Sequence, residues 1–417
     1  PDRTSRPGME KFFRESFARN RPWNEIVYDL MTAEGHYEEN GAVNFLLGQL
    51  TGNPNRDDYA VEATARATRL LLGLQIQCTQ CHNHPFNRWE QNQFWEFNSF
   101  LRQIRRLDHD KYDPESGQMV DDYSELVFRD FSGPVYFETR SGLMKVAFPI
   151  YFDREVDPGR ETNRREELAR LMTEDDPNNW VARAMVNRMW GHFFGYGFTR
   201  PVDDMGPHNP PSHPELLDAL AKDFATSGYD LKRLIHAMVL SETYARDSRI
   251  TGGAEPPAAD LFAVAIPRPL TPRQLSLSLL VATANPETMP GTASGDEWEK
   301  KRDELENRAN SFATRVEIPG ENFQVSVDEA LLFSNGDRVA GDYLRDAGDR
   351  LVRHLTSLEA DDDVAIVATQ VVLSRSPAPE EQSRIADYLS ARSDRRVEAI
   401  QQVVWALMTS PEFRFNH

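Results

Sequence analysis

The sequence predicts a mainly α-helical protein with a small β-containing insert. Apolar residues recur at helical spacing along most of the chain, whereas only residues 108–158 contain short β-like runs. We therefore expect a helical domain over residues 1–107, the insert over 108–158, and a helical C-terminal domain over 159–417. Two polar stretches, 250–260 and 285–320, are expected to be linkers because they interrupt the helical pattern.

Three amphipathic helices are expected in the N-terminal domain. The first has an apolar face between residues 23 and 31 and ends at Gly35. The second runs from about residue 58 to 77 and leads directly into Cys78. The third is rich in aromatic residues between 94 and 104. The first cysteine is thus expected at the end of a helix.

The rest of the chain carries turn and cap signals. Residues 135–148 predict a small hairpin, because two β-like runs flank Arg140-Ser141-Gly142. Capping boxes are expected at Ser212–Glu215, Thr271–Gln274 and Ser326–Glu329, and a helix is expected to begin at Asp230. Three short packed helices are expected near the end of the chain, at residues 364–373, 379–389 and 395–408.

Charge and composition restrict the class of protein. The chain has 47 Lys and Arg against 66 Asp and Glu, for a net charge of −19, which argues against nucleic-acid binding. No apolar run approaches the length of a transmembrane segment. The chain opens at Pro1 with a polar stretch and no initiator Met, so we expect a processed or trimmed product, which leaves room for a lost export signal.

The two cysteines belong to a single motif, Cys78-Thr79-Gln80-Cys81-His82. Cysteines three positions apart on one helical turn point their sulfurs to the same side, where both can form thioethers to the vinyl groups of one haem. The histidine that follows is then placed to bind the iron. This spacing is the attachment signature of c-type haem, so one covalent haem with His82 as axial ligand is the leading interpretation.

Other interpretations of the motif stay open. A zinc site could use Cys78, Cys81, His82 and His84, although four ligands within seven residues crowd a tetrahedron. A thioredoxin-like redox pair would require a βαβ context that the sequence lacks. A purely structural motif is a third alternative. The sixth iron ligand is not determined by sequence, and its candidates are His192, His208, His213, Met119 and Met205.

Residues 71–89, with the string LLGLQIQCTQCHNHPFNRW, resemble the core of the planctomycete-type cytochrome-like domain, whose version reads roughly GLQxQCxxCHDHPFDxW. The second half of the chain resembles the usual partner of that domain, a C-terminal domain of unknown function. The stretches that carry this second resemblance are 186–195 (VNRMWGHFFG), 201–205 (PVDDM), 211–217 (PSHPELL), 231–234 (LKRL), 241–244 (SETY), 374–377 (SRSP) and 410–413 (SPEF).

The resemblance implies a haem c and export to the periplasm or cell surface, without implying an established reaction. Asn83 and Asn87 stand where the family more often has Asp, so any role of those carboxylates is in doubt here. The family also has a portion before what is Pro1 in this chain, which would make the chain truncated or cleaved.

Three hypotheses for function follow. The first is electron transfer by one c-type haem, with a redox partner protein or other subunits of an exported complex. The second is a haem enzyme, peroxidase-like or oxidase-like, with an open axial position. The third is a structural or interaction subunit in which haem or zinc staples the fold. Near the haem, Trp89 is expected to pack against the porphyrin or a neighbouring helix, with Arg88 beside it, and Arg188 to pair with a propionate or with Asp203 or Asp204.

Overall fold

The computed structural model describes residues 3–50, 52–250, 255–288, 295–316, 327–336 and 339–416. The chain divides into two compact units, Pro1–Ile266 and Pro267–His417. Both units are mainly helical, which confirms the predicted fold class at that level. Within the described ranges, no helix combines the length and the apolar character that a bilayer crossing requires.

The N-terminal unit consists of helices around one core, with small antiparallel sheets at its surface. Its helices are α1 (Arg6–Ala18), α2 (Trp23–Thr32), α3 (Asn44–Leu47), α4 (Val61–Leu72), α5 (Gln91–Phe100), α6 (Arg164–Thr173), α7 (Trp180–Phe194), α8 (Pro214–Thr226) and α9 (Leu231–Val239). Its strands are β1 (Gly35–His36), β2 (Ile104–Asp113), β3 (Gln118–Phe128), β4 (Val135–Glu138), β5 (Met144–Ala147), β6 (Ile150–Tyr151) and β7 (Arg154–Glu155). The strand orders are β1-β3-β2, β4-β5 and β6-β7.

The core of this unit does not follow the boundary expected between residues 158 and 159. One continuous cluster of buried apolar side chains extends from Trp23 to Phe262. Helix α6 packs on α2, and α7 packs on α4. Residues 159–266, assigned from sequence to the C-terminal domain, therefore share their core with the N-terminal helices, because their apolar faces are buried against each other.

The β structure is larger than the sequence indicates. The expected hairpin forms as β4 and β5, whose inward side chains Val135, Phe137 and Ala147 are buried. A longer hairpin, β2 with β3, begins at Ile104, before the expected insert. Its strands carry polar residues on both faces, so they lack the alternation that signals a half-buried strand.

One predicted helix cap in this unit is wrong. The residue at the N-cap of α8 is His213, not Ser212, and its side chain makes no capping bond. Ser212 is committed elsewhere: its N–H donates to the Phe198 carbonyl and its hydroxyl lies 3.0 Å from His213 Nδ1. The predicted cap at Asp230 is confirmed, because its carboxylate accepts from the Arg233 N–H at the start of α9.

The C-terminal unit is a second helical cluster with its own core. Its elements are α10 (Pro272–Ala282), α11 (Gly295–Ala313), α12 (Val327–Asn335), α13 (Leu351–Thr356), α14 (Asp361–Leu373), α15 (Pro379–Ser390), α16 (Arg396–Met408), α17 (Pro411–Arg414) and the paired strands β8 (Arg268–Pro269) and β9 (Phe415–Asn416). The three short helices expected near the end of the chain are confirmed as α14, α15 and α16.

Sequence expectations for this unit have mixed outcomes. The capping box of Thr271 and Gln274 is confirmed at the start of α10. Part of the expected linker 285–320 is helix α11, because Leu305, Ala309 and Phe312 lie at helical spacing and are buried. The capping box expected at Ser326 lies outside the described residues.

Candidate functional site

The two cysteines lie on a short turn that is separate from the preceding helix. Gly73, with φ of +68°, ends α4 in the left-handed conformation, so the helix stops five positions before Cys78 rather than leading directly into it. Residues Gln77–Gln80 then form a 3₁₀ turn, and the Cys81 N–H lies 3.5 Å from the Cys78 carbonyl oxygen. Both cysteines are exposed and free. The turn keeps the two thiols together on the surface.

Helix α5 fixes this turn through one backbone carbonyl. The Gln80 oxygen accepts hydrogen bonds from Gln91 Nε2 at 3.1 Å and from Trp95 Nε1 at 3.0 Å. The buried Thr79 hydroxyl donates to the Ile76 carbonyl at 2.6 Å. The backbone between the cysteines is therefore ordered even though the sulfurs face solvent.

His82 has one ring nitrogen committed and one available. Its Nδ1 lies 2.7 Å from the Asn83 carbonyl oxygen, which can only accept, so Nδ1 carries the ring proton. Nε2 then holds a lone pair. Metal-binding histidines commonly donate their other N–H to a carbonyl in this way, which fixes the tautomer and orients the ring.

His84 has the opposite arrangement. Its Nδ1 accepts hydrogen bonds from the backbone N–H groups of Phe86 and Asn87, both at 3.2 Å, so its ring proton lies on Nε2. Burial and the adjacent His208 lower the pKa of His84. To bind a metal, His84 would have to give up these bonds or lose a second proton. This bonding weakens the zinc alternative that uses His84.

A second loop, residues 198–209, lies against the motif; we call it the facing loop. Asn187 of α7 is fully buried and holds its start: Oδ1 accepts from the Phe198 N–H at 2.7 Å, and Nδ2 donates to the Thr199 hydroxyl and the Val202 carbonyl. The Met205 N–H donates to the Gly73 carbonyl at 2.8 Å. The two loops are thus joined through their backbones.

Asp203 links the facing loop to the chain on either side of Gly73. Its carboxylate accepts from Arg69 Nε at 2.5 Å and from Gln75 Nε2 at 2.8 Å. The expected ion pair between Arg188 and Asp203 or Asp204 does not form, although the charge of Asp203 acts on Arg188 without a direct bond. Arg188 instead donates to the Leu70 carbonyl at 3.3 Å, and burial lowers its pKa.

Asp204 contacts His208 and influences the Cys78 thiol. Both of its carboxylate oxygens lie 3.0 Å from His208 Nε2. The His208 ring lies 5.5 Å from that of His84, and its Nδ1 is 3.4 Å from Asn87 Nδ2. Desolvation raises the pKa of the Cys78 thiol, and the charge of Asp204 contributes in the same direction. Sequence reasoning named Asp204 only as a partner for Arg188 and missed its interaction with His208.

An aromatic cavity of about 330 Å³ is lined by residues that flank the motif in sequence, among them Leu74 and Arg88. Trp89 and Phe152 pack at a ring distance of 5.8 Å, and the rings of Phe152 and Trp180 stack. The exposed Arg88 lies at the same cavity. The residues lining it are Leu74, Arg88, Trp89, Gln93, Phe152, Trp180, Met205, Gly206 and Pro207. Its volume lies at the low end of the roughly 300–1,000 Å³ typical of ligand pockets, so a larger flat group would stay partly in solvent.

The candidates for a sixth ligand separate into two groups. Met205 lines the cavity and bonds to Gly73, and His208 lies beside His84, so the facing loop brings both next to residues that flank the motif. Met119 is exposed on β3, and His192 is exposed at the end of α7. His213 lies against Phe262 at a ring distance of 5.5 Å. Those three belong to other parts of the same unit.

Asn83 and Asn87, the two asparagines that follow the motif, have structural partners. Asn83 Oδ1 accepts from the Gln91 N–H, and Asn87 Oδ1 accepts from the Trp89 N–H, both at 2.9 Å. An aspartate could accept both bonds, so the departure from the family pattern keeps these contacts and removes the charge. Among the described residues, no three His, Cys, Asp or Glu side chains converge as a metal site would require.

Two family models match parts of the chain, and the second match spans the boundary between the two compact units. Residues 1–106 match the model of PSCyt2, a protein of unknown function (DUF1549), and residues 164–320 match that of PSD1, a protein of unknown function (DUF1553). Together the two hits support a pair of domains of unknown function. The first match contains the cysteine motif, and the second begins at α6. No curated protein and no solved structure matches the chain.

Proposed function

We propose that this chain is an exported c-type haem protein that transfers electrons, with haem attached to Cys78 and Cys81 and His82 as an axial ligand. The observation that carries the proposal is the bonding of His82. Its Nδ1 donates to the Asn83 carbonyl, which leaves Nε2 free one residue after two exposed, free thiols. The CxxCH spacing and the aromatic cavity lined by the flanking residues Leu74, Arg88 and Trp89 are the other supports.

The residues around the motif have distinct roles in this proposal. The Asn83 carbonyl orients the imidazole of His82, and the Gln80 carbonyl, held by α5, keeps the thiols in place. Trp89 and Phe152 pack together and would shield one side of a bound haem from water. Arg88 is exposed at the cavity and free to pair with a carboxylate, whereas Arg188 is already bonded to a backbone carbonyl. A haem bound here would supply a one-electron iron couple.

Electron transfer to a partner requires that part of the group stays accessible. The thiols are on the surface and the cavity is small, so a bound haem would keep an edge in solvent. The net charge of −19 favours a basic partner and disfavours nucleic acid. Export to the periplasm or cell surface belongs to the same proposal, since the thioether chemistry is expected there.

The test is expression with an export signal in a host that matures c-type cytochromes. Haem staining of the denatured chain and a pyridine haemochrome spectrum should show covalent haem. Cys78→Ser with Cys81→Ser should abolish the stain, whereas His84→Ala is the matched control and should retain it. A stain absent from the unaltered chain would overturn the proposal, and metal analysis for zinc would then be the next measurement.

The spectrum also separates electron transfer from the enzyme alternative. A six-coordinate, low-spin spectrum that changes in Met205→Ala or His208→Ala supports electron transfer and identifies the sixth ligand. A high-spin spectrum that responds to added cyanide favours the haem enzyme, because it reports an open axial position. Unfolding of the Cys78→Ser variant with no loss of redox activity would favour the structural alternative.

A further inference from the structure

The C-terminal unit contains a cavity that lies outside both matched domains. It has a volume of about 550 Å³, within the roughly 300–1,000 Å³ of small-molecule pockets. Helices α15 and α16, and the turn between them, form its walls. The residues lining it are Arg384, Ile385, Tyr388, Arg392, Arg395, Gln402, Val403, Trp405, Ala406 and Leu407.

The cavity is lined by aliphatic side chains and by two aromatic ones, Tyr388 and Trp405. Ile385, Val403 and Leu407 contribute the aliphatic surface. The indole N–H of Trp405 donates to the Phe333 carbonyl at 2.8 Å, which fixes the ring while it stays 37% exposed. On the other wall, the Tyr388 hydroxyl is hydrogen-bonded to Gln402. Both aromatic rings are therefore held in place and can receive a flat apolar group.

Three arginines surround this surface in a chain with an excess of acidic residues. Arg392 lies over the Tyr388 ring, with its guanidinium carbon 3.9 Å from the ring centroid. Across the part of the chain that the structure describes, Arg384, Arg392 and Arg395 form no ion pair with a carboxylate. The charge of Arg384 helps to lower the pKa of Glu381. The Glu381 carboxylate accepts its hydrogen bonds from Arg375 and the Ala378 N–H instead.

We propose that this cavity binds a small organic anion with a flat apolar body and a carboxylate, sulfonate or phosphate group. Charge complementarity carries the assignment. Three guanidinium groups that line one cavity, without carboxylate partners among the described residues, can offer charge-assisted hydrogen bonds to an anion. The apolar body would lie between Tyr388 and Trp405. The site is separate from the cysteine motif and does not depend on haem.

The test uses two probes of nearly equal shape, naphthalene-2-sulfonate and neutral naphthalene-2-sulfonamide, measured by isothermal titration calorimetry on the full chain. The sulfonate should bind about tenfold more tightly, as expected for hydrogen bonds to a charged group. The double variant Arg384→Gln with Arg395→Gln should remove that preference and leave sulfonamide binding unchanged. Arg66→Gln, an exposed arginine of α4, is the matched control and should bind like the unaltered chain.

The aromatic wall gives a second, independent readout. Trp405→Ala should weaken both probes alike, with circular dichroism confirming the fold of each variant. Equal affinity for the two probes, or a preference that survives the double arginine variant, would overturn the proposal. Sedimentation that shows a dimer dissociated by Trp405→Ala would also overturn it, because a second copy of the chain would then cover the cavity.

Discussion

Asn187 is expected to be the strongest single determinant of the facing loop. Its side chain makes four hydrogen bonds at 2.7–3.3 Å while fully buried. In Asn187→Ala the N–H groups of Phe198 and Thr199 and the Val202 carbonyl lose this partner, whereas the Thr199 hydroxyl still donates to the Pro201 carbonyl. Three unsatisfied backbone groups at about 1–3 kcal/mol each predict a loss of about 3–9 kcal/mol in unfolding free energy.

Urea unfolding followed by tryptophan fluorescence measures this loss, since five of the seven tryptophans lie in the N-terminal unit. Asn209→Ala is the matched control: it lies in the same loop and donates one hydrogen bond, to the Asp204 carbonyl, so it should cost about 0.5–1.5 kcal/mol. Equal losses in the two variants would refute the reasoning.

Replacing Asn187 with aspartate tests the Nδ2 donor of the side chain separately from its Oδ1 acceptor. Asn187→Asp keeps both acceptor bonds from Phe198 and Thr199 but places a carboxylate oxygen against the Val202 carbonyl. The variant should be strongly destabilised at pH 7, and the destabilisation should shrink in acid, because a protonated carboxyl can again donate. A variant as stable as the unaltered chain at pH 7 would show that the Nδ2 bonds contribute nothing.

Three further predictions concern charge and exposure. Hydrogen bonding to Arg375 lowers the pKa of Glu381 from 4.5 to about 2. The stabilising contribution of Glu381 is therefore complete above pH 4.5 and is lost as the pH falls towards 2. Glu381→Gln, but not Glu380→Gln, should reduce the pH dependence of acid unfolding followed by circular dichroism. Arg164 is fully buried and donates to three backbone carbonyls, so Arg164→Met should cost about 2–5 kcal/mol in urea unfolding. Phe86 is 80% exposed, so Phe86→Ala should change the unfolding free energy measured in urea by less than about 0.5 kcal/mol. A larger change would reveal a contact of Phe86 that the structure does not show.

The helices were predictable where periodicity and cap chemistry agree. The apolar face of α2 and the cap of α9 at Asp230 follow directly from local sequence. Helix α11 was predicted as a linker because its charged residues dominate the local composition, although its three buried apolar positions follow a helical period. Composition alone is therefore a weaker guide than spacing when one narrow face of a helix is buried.

The long hairpin could not be predicted, because its stability comes from pairs across the strands rather than from an apolar face. The rings of His109 and Tyr123 stack at 4.3 Å, and Lys111 pairs with Asp122 at 3.0 Å. Such pairs become visible only once the register of β2 against β3 is known. The facing loop is a similar case: its contact with Gly73 joins residues more than a hundred positions apart.

The motif itself shows how far residue identity determines chemistry. His82 and His84 are the same residue type two positions apart, and both are suitable metal ligands by composition. Their hydrogen bonds distinguish them. The Nδ1–H of His82 donates to a backbone carbonyl, whereas Nδ1 of His84 accepts from two backbone N–H groups. Only His82 is left with a free lone pair on Nε2. One histidine beside two thiols matches the ligand set of an attached haem better than the four-ligand set of zinc, and this geometric difference, absent from the sequence pattern, favours the haem proposal.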